Sequence, residues 1–242
     1  MKILSIGNSF SEDAQRYLHS VAKAGGDDFY TVNLCIGGCS LESHSRNVKE
    51  NNKNYVFQEN GVITDRLMTI EEGLKLEDWD VVTIQQVSNQ SFKEESYYPY
   101  IFDLAESIRA HAPRAKLLIH ETWAYEEGSE RIVEAFGDSS ADKMFSAIKK
   151  AYNRAKKEVN ADAIIPSGEL FIKLSHSGIK KIHRDTFHAA WGIGRYALSL
   201  LWYHVLTGKS VLNICYSEFD EPVSEKEIEI VKKCVEVFDK VV

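Results

Sequence analysis

The chain opens on Lys2-Ile3-Leu4-Ser5-Ile6-Gly7-Asn8-Ser9-Phe10-Ser11-Glu12-Asp13, where a strand pattern passes directly into a helix pattern. The apolar residues 3–6 predict a buried first strand, and the segment 7–10 predicts the loop that follows it. The polar and acidic residues 11–13 are typical of the first turn of a helix, which we expect to run to about Ala24. A strand that leads at once into a helix indicates an α/β fold.

The same alternation continues along the chain. Apolar runs at residues 30–36, 80–86, 116–120 and 163–165 predict four more strands, and helical patterns separate them. Right-handed crossovers between parallel strands place helices on both faces of a sheet. The sequence therefore predicts a doubly wound, flavodoxin-like α/β/α sandwich with a parallel sheet of about five strands, and ligands are expected at the carboxyl ends of those strands.

The composition is that of an ordinary folded protein. No linker-like segment interrupts the 242 residues, so we expect a single domain, 1–242. The formal net charge of −7 and the lack of a basic stripe exclude nucleic acid as an expected partner. No apolar run approaches about 18 residues and no signal-peptide pattern is evident, so we expect a cytoplasmic protein that does not bind a membrane. The oligomeric state stays open.

Three residues predict nucleophilic chemistry. A serine hydroxyl is a weak nucleophile that needs a base to take its proton and a third group to orient the base. Ser9 lies in the loop after the first strand, and Asp185 and His188 stand three residues apart late in the chain. That spacing lets the carboxylate accept a hydrogen bond from Nδ1–H and leaves Nε2 free to act on Ser9. Each residue alone has an ordinary explanation as a turn or cap residue, but their combination favours a triad.

Acyl transfer also needs an oxyanion hole, because negative charge develops on the former carbonyl oxygen. Two further strand-end loops offer donors, Gly37-Gly38 after the second strand and Ser88-Asn89 after the third. We expect the N–H groups of Ser9 and Gly38 and the side-chain amide of Asn89 to serve this role. A tight turn and an ordinary loop residue are the alternatives for the last two.

Four segments together resemble the sequence blocks of the SGNH (GDSL-like) hydrolase superfamily. Residues 6–11 are similar to the first block, residues 33–38 to the second, whose glycine maps to Gly38, and residues 80–89 to the strand and loop that end in the third block's asparagine. Residues 185–188 match the Asp-x-x-His of the last block. The blocks occur in family order and span most of the chain, so the resemblance implies a serine hydrolase that works through an acyl-enzyme.

The chain also departs from the commoner SGNH pattern. Asn8 stands where the commoner form has Asp, and valine and serine precede Asn89 where a glycine is usual. Gln86 therefore remains an alternative side-chain donor to the oxyanion. The start Gly-Asn-Ser-Phe-Ser and the segment 192–197 look most like a bacterial SGNH branch known only as a domain of unknown function.

The substrate is less constrained than the chemistry. Trp123 and Tyr125 follow the fourth strand and have rings that can stack on a sugar, and Arg184 has a guanidinium that can clamp an anion. With Gln86, these are the candidate substrate-binding residues; loop packing and a surface salt bridge are the alternatives. Related SGNH branches include deacetylases, so the resemblance favours O-acetyl esters on carbohydrate. A lipid ester or thioester substrate and a non-catalytic carbohydrate-binding role stay open.

No metal and no cofactor are expected. The eight histidines and four cysteines show no His-x-x-x-His or Cys-x-x-Cys spacing. A phosphate or flavin binder that uses the first loop is a further alternative, and Glu12 and Asp13 disfavour it because they would face the anion. The polar connection around residues 43–60 is predicted to be a long substrate loop, and whether it closes over the site stays open.

Overall fold

The computed structural model describes residues 1–241, which build one seven-stranded sheet with the order β4-β3-β2-β1-β5-β6-β7. The strands are β1 (Lys2–Gly7), β2 (Tyr30–Cys35), β3 (Tyr55–Glu59), β4 (Val62–Met68), β5 (Val81–Ile84), β6 (Lys116–His120) and β7 (Ala163–Ile165). Five neighbouring strands are parallel, namely β2, β1, β5, β6 and β7, whereas β3 pairs antiparallel with both β2 and β4. The parallel strands thus follow the 2-1-3-4-5 order of flavodoxin-like folds.

Helices connect the strands in chain order. They are α1 (Ser9–Gln15), α2 (Leu18–Ala24), α3 (Leu41–Glu50), α4 (Ile70–Leu74), α5 (Tyr100–His111), α6 (Glu130–Phe136), α7 (Ala141–Glu158), α8 (Ser167–Ser175), α9 (Ile193–Thr207) and α10 (Glu225–Val235), with a 3-10 helix at Glu94–Tyr97. The single helix expected to end near Ala24 is divided into α1 and α2. No helix among residues 1–241 is both long and apolar enough to cross a membrane.

The sheet is apolar on both faces. Successive strand residues point to opposite sides, and the apolar residues of the central strands therefore enter both cores. In β1, Ile3 belongs to a core that α1, α2, α8, α9 and α10 cover, and Leu4 and Ile6 belong to a second core under α3, α4, α5 and α7. These residues are all at most 1% exposed. The predicted doubly wound α/β/α sandwich is confirmed, and the five predicted strands are its parallel strands.

The sheet has two strands more than the five predicted from the sequence. Residues 43–60, expected to form a long loop, belong mostly to α3 and β3, and β3 turns into β4 at Asn60 and Gly61. Both turn residues have left-handed φ angles, 50° and 77°, as a two-residue hairpin requires. A Cβ on Gly61 would lie 2.1 Å from the carbonyl oxygen of Arg16, so only glycine fits. The segment is therefore regular structure beside the site rather than a substrate loop.

Candidate active site

Ser9 lies just beyond the carboxyl end of β1, as the first residue of α1. Asn8 precedes it as the helix N-cap, in an extended conformation, and its Oδ1 accepts a hydrogen bond from the Phe10 N–H at 3.0 Å. This cap reverses the chain from strand to helix within one residue. Asn8 is buried, while Ser9 is partly exposed on the wall of a cavity.

The structure brings Ser9, His188 and Asp185 together in one line of hydrogen bonds. His188 Nε2 lies 2.8 Å from Ser9 Oγ, and His188 Nδ1 lies 2.8 Å from Asp185 Oδ2. Partial burial acts to raise the pKa of Asp185, but hydrogen bonds from the ring and backbone of His188 outweigh it and lower that pKa. An ionised carboxylate only accepts, so Nδ1 carries the proton and Nε2 accepts from the Ser9 hydroxyl.

Asp185 and His188 occupy a tight hairpin that precedes α9. His183 and Ala189 pair as an antiparallel bridge across its base, and α9 begins only afterwards. Asp185 Oδ1 accepts a hydrogen bond from the His188 N–H at 2.8 Å. Thr186, at the tip, has a left-handed φ of 72°, which is unusual for a β-branched residue. The hairpin presents the ring of His188 to Ser9.

Gly38 and Asn89 line the same cavity as Ser9 and His188. Gly38 has a φ of 65° and lies in the turn that the Cys39 N–H closes on the Ile36 carbonyl at 3.1 Å. Within the described residues, neither the Gly38 N–H nor the Asn89 side chain has a hydrogen-bond partner, so both donors are free to meet a ligand. The two strand-end loops thus converge beside the serine, as the parallel topology requires.

Gln86 has no free side-chain donor for the cavity. It is fully buried, and its Oε1 accepts from the N–H groups of Leu41 and Val87 at 2.9 and 2.8 Å. Its Nε2 donates to the carbonyl and hydroxyl oxygens of Ser96. Gln86 therefore anchors the start of α3, which corrects its expected role at the substrate.

Trp123 also belongs to the hydrophobic core and does not line the active-site cavity. It is fully buried, its ring stacks on Phe10 at 4.2 Å and on Phe171 at 4.4 Å, and its Nε1 donates to the Phe187 carbonyl. Tyr125 reaches the cavity wall but is only 2% exposed, with its hydroxyl 3.0 Å from Ser88 Oγ. Neither ring offers the open stacking face expected from the sequence.

Arg184 points away from the cavity. Its Nη1 lies 2.9 Å from both carboxylate oxygens of Asp13, and its guanidinium stacks over Trp191 at 3.9 Å. The expected anion clamp is thus an internal ion pair. A guanidinium that does line the cavity belongs to Arg131, with Phe187 beside it. Sequence reasoning missed Arg131, because nothing near it in the chain marks α6 as a neighbour of Ser9. It gave Phe187 no role, although that residue directly precedes His188.

A buried polar chain supports the Ser9 loop from below. Gln85 Nε2 donates to Asn8 Oδ1 at 2.7 Å, and Gln85 Oε1 lies 2.7 Å from His120 Nδ1, which must therefore be the donor. Burial lowers the pKa of His120 to about 3, so its ring is neutral. Asn8 Nδ2 in turn donates to the Cys39 carbonyl at 3.0 Å. One side chain, Asn8, thus orients both the serine loop and the Gly38 turn.

Two spaces meet at Ser9. The main cavity, of about 390 Å³, is lined by Asn8, Ser9, Phe10, Gly37, Gly38, Val87, Ser88, Asn89, Tyr125, Arg131, Phe187 and His188. A side groove of about 320 Å³ shares Ser9 and Gly37 and continues along Glu12, Cys35, Ile36, Asn54, Val56, Gln58 and Ile63. An ester bound with its carbonyl at Ser9 can extend into both. Among residues 1–241, no three His, Cys, Asp or Glu side chains are grouped to hold a metal ion.

The sheet order, with a serine after the first strand, defines the class: the chain has the α/β/α fold of the SGNH hydrolases. The family model for a domain of unknown function, DUF4886, matches residues 2–237, so the chain belongs to the DUF4886 family.

Several solved structures are similar to this chain. A DUF4886 family protein from Bacteroides uniformis is 33% identical, with 98% of this chain and 93% of that chain covered and a TM-score of 0.89. A suspected SGNH hydrolase from Slackia heliotrinireducens is 21% identical, with coverages of 84% and 97% and a TM-score of 0.61. A family 3 carbohydrate esterase from Clostridium thermocellum is 14% identical, with coverages of 84% and 93% and a TM-score of 0.52. No curated protein matches the chain.

Proposed function

We propose that the chain is a serine esterase that hydrolyses small acyl esters through a Ser9–His188–Asp185 triad. The observation that carries the proposal is the unbroken hydrogen-bond line from Asp185 through His188 to Ser9, with both links at 2.8 Å, on the wall of an open cavity. Nucleophile, base and orienting group are the three parts that serine-based acyl transfer requires.

In the proposed acylation, Ser9 Oγ attacks the ester carbonyl carbon while His188 Nε2 takes the serine proton. Asp185 stabilises the imidazolium that forms and keeps the ring oriented. The tetrahedral oxyanion accepts hydrogen bonds from the N–H groups of Ser9 and Gly38 and from the Asn89 amide, each of which typically contributes about 2.7–4 kcal/mol of transition-state stabilisation. The carbonyl then re-forms, the carbon–oxygen bond to the alcohol breaks, and His188 passes its proton to the leaving oxygen.

Deacylation repeats these steps with water. His188 Nε2 takes a proton from the water as its oxygen attacks the acyl carbon on Ser9. The second tetrahedral intermediate uses the same donors. As the bond to Ser9 Oγ breaks, His188 returns the proton to that oxygen, so the carboxylic acid leaves and the serine is restored.

For the substrate we favour O-acetyl esters on carbohydrate. The main cavity presents the Asn89 amide and the Arg131 guanidinium beside apolar walls, which suits a hydroxylated alcohol half. The fold is shared with the family 3 carbohydrate esterase, and fold alone does not decide a substrate. Because Trp123 and Tyr125 are buried, stacking of a sugar on their rings does not support this substrate.

The side groove favours a second candidate, a longer acyl ester or thioester. Ile36, Val56 and Ile63 line it, and Ile63 is 62% exposed at the edge of the sheet. An acyl chain that lies along these side chains would bury apolar surface. Rates on p-nitrophenyl esters from acetate to octanoate separate the candidates, because a short-acyl esterase loses kcat/KM as the chain lengthens and a long-acyl esterase gains it.

The deciding experiment is hydrolysis of p-nitrophenyl acetate together with labelling by a fluorophosphonate probe. Wild type should turn over and carry the label on the Ser9 peptide, Ser9→Ala should do neither, and the matched control Ser217→Ala, at an exposed serine, should behave as wild type. Folded wild-type protein that neither hydrolyses nor labels would overturn the esterase proposal and leave a carbohydrate-binding role.

A further inference from the structure

Arg131 brings a permanent positive charge to the main cavity. Of the described residues that line this cavity, it is the only Arg or Lys, and no Asp or Glu is among them. The ion pairs among residues 1–241 do not include Arg131, in contrast to Arg184 and Arg195, which both contact Asp13. Its side chain is exposed, so its charge is available to a bound molecule.

The guanidinium of Arg131 lies over the ring of Phe187. Its central carbon lies 4.1 Å from the ring centroid of Phe187, and the Phe187 ring centroid lies 3.8 Å from that of His188. A guanidinium that packs over an aromatic ring keeps N–H groups on its edge available for hydrogen bonds. Those N–H groups form the planar fork that pairs with a carboxylate through two parallel hydrogen bonds.

The position of Arg131 indicates which half of a bound ester it would contact. His188 must give its proton to the leaving oxygen, so the alcohol half lies beside the His188 ring. Phe187 contacts both that ring and the Arg131 guanidinium. The side groove, which shares Ser9 but not His188, leaves space on the other side for the acyl half.

From this geometry we propose that the protein selects esters whose alcohol half carries a carboxylate, such as an acetylated uronic acid residue, and that Arg131 binds that carboxylate. The inference rests on the proposed esterase function and names its substrate class more narrowly. Several glutamates stand near Arg131 in sequence, but none lines the cavity. Selection therefore depends on direct contact with the guanidinium rather than on a positive field.

The test compares 4-acetoxybenzoate with the neutral 4-acetoxybenzamide, which release the same acetyl group. In wild type and variants we measure the ratio of kcat/KM for the anionic ester to that for the neutral ester, so that intrinsic reactivities cancel between proteins. Arg131→Gln should lower the ratio about fivefold to tenfold, with kcat/KM for the neutral ester 4-acetoxybenzamide little changed. Arg131→Lys should recover part of the loss, since it keeps the charge but not the fork.

Arg46→Gln is the matched control, at an exposed arginine of α3 outside the Ser9 cavity, and should leave the ratio at its wild-type value. A ratio that Arg131→Gln does not change, or an equal loss on both esters, overturns the carboxylate inference while Ser9-dependent activity upholds the esterase function. If wild type hydrolyses neither ester and Ser9 is not labelled, the esterase function fails and this inference fails with it.

Discussion

Asp13 and Arg184 form a buried ion pair that ties the helix carrying Ser9 to the hairpin carrying His188. Asp13 is fully buried on α1. Arg184 lies near the start of the hairpin, and its Nη1 is 2.9 Å from both carboxylate oxygens of Asp13. The Ala189 N–H, at the other end of the hairpin, donates to the same carboxylate at 3.2 Å, and Arg195 Nε donates at 2.8 Å. One carboxylate thus sets where the hairpin lies relative to Ser9.

Replacement of Asp13 should therefore destabilise the protein. Asp13→Asn keeps the shape but leaves two guanidinium groups without their buried counter-charge, so the free energy of unfolding should fall by about 3–5 kcal/mol. Urea denaturation measures it. The matched control is Asp220→Asn, which contacts Arg195 at 2.8 Å but has a side chain 26% exposed, and its cost should be smaller. Equal losses in the two variants would show that burial of Asp13 is not the cause.

The assignment of Asn89 rather than Gln86 to the oxyanion is also testable. Asn89→Ala should lower kcat on p-nitrophenyl acetate by about 10²–10³ with little change in KM, because the lost donor acts in the transition state. Gln86→Ala should instead lower stability, since it leaves the buried Leu41 N–H without an acceptor. Steady-state kinetics and thermal unfolding of both variants decide. The reverse pattern, activity lost only in folded Gln86→Ala, contradicts the assignment.

A third prediction concerns Asn8, whose side-chain amide both accepts and donates hydrogen bonds. An aspartate there cannot donate to the Cys39 carbonyl, so Asn8→Asp should loosen the Gly38 turn and lower kcat by about tenfold. KM should change less, since the turn acts on the oxyanion rather than on the ground state. Kinetics on p-nitrophenyl acetate test this, with Asn213→Asp at an exposed position as the control for the added charge. Unchanged kcat in Asn8→Asp would separate Asn8 from the oxyanion loop.

The sequence predicted the parallel part of the fold because its signals are local. Buried parallel strands read as short β-branched runs, and parallel topology brings their carboxyl ends to one edge, so the loops of Ser9, Gly38 and Asn89 were expected together. The β3–β4 hairpin was missed although Asn60-Gly61 is a strong hairpin signal, because the polar residues 42–54 before β3 led us to predict the whole connection as a loop.

Side-chain roles at the site were harder to predict, since they depend on residues far away in the chain. Arg184 and its partner Asp13 are 171 residues apart, and Trp123 is buried by Phe10 and Phe171 from two different helices. A loop position in the sequence does not reveal whether an aromatic or basic side chain turns inward. Arg131 was missed because the position of α6 beside the Ser9 cavity depends on packing between distant parts of the chain.

From the buried carboxyl group of Glu121 we predict an unusual pH dependence of the free energy of unfolding. Glu121 is 2% exposed, and burial raises its pKa to about 8, although the Glu169 N–H donates to Oε1 at 3.1 Å. Between its unfolded pKa, about 4.3, and 8, the native carboxyl group retains a proton that the unfolded chain releases. The unfolded state therefore binds fewer protons, and the contribution of Glu121 to stability falls as pH rises through this window and levels off above it.

Glu121→Gln keeps the Oε1 acceptor and cannot ionise. The free energy of unfolding of the variant minus that of wild type should thus increase with pH between about 4.5 and 8, by up to about 1.4 kcal/mol per pH unit. Urea titrations of both proteins at pH 5.5, 7 and 8.5 measure the difference, and the buried histidines cancel because both proteins contain them. A difference that stays constant across these pH values would mean that Glu121 is already ionised in the folded protein.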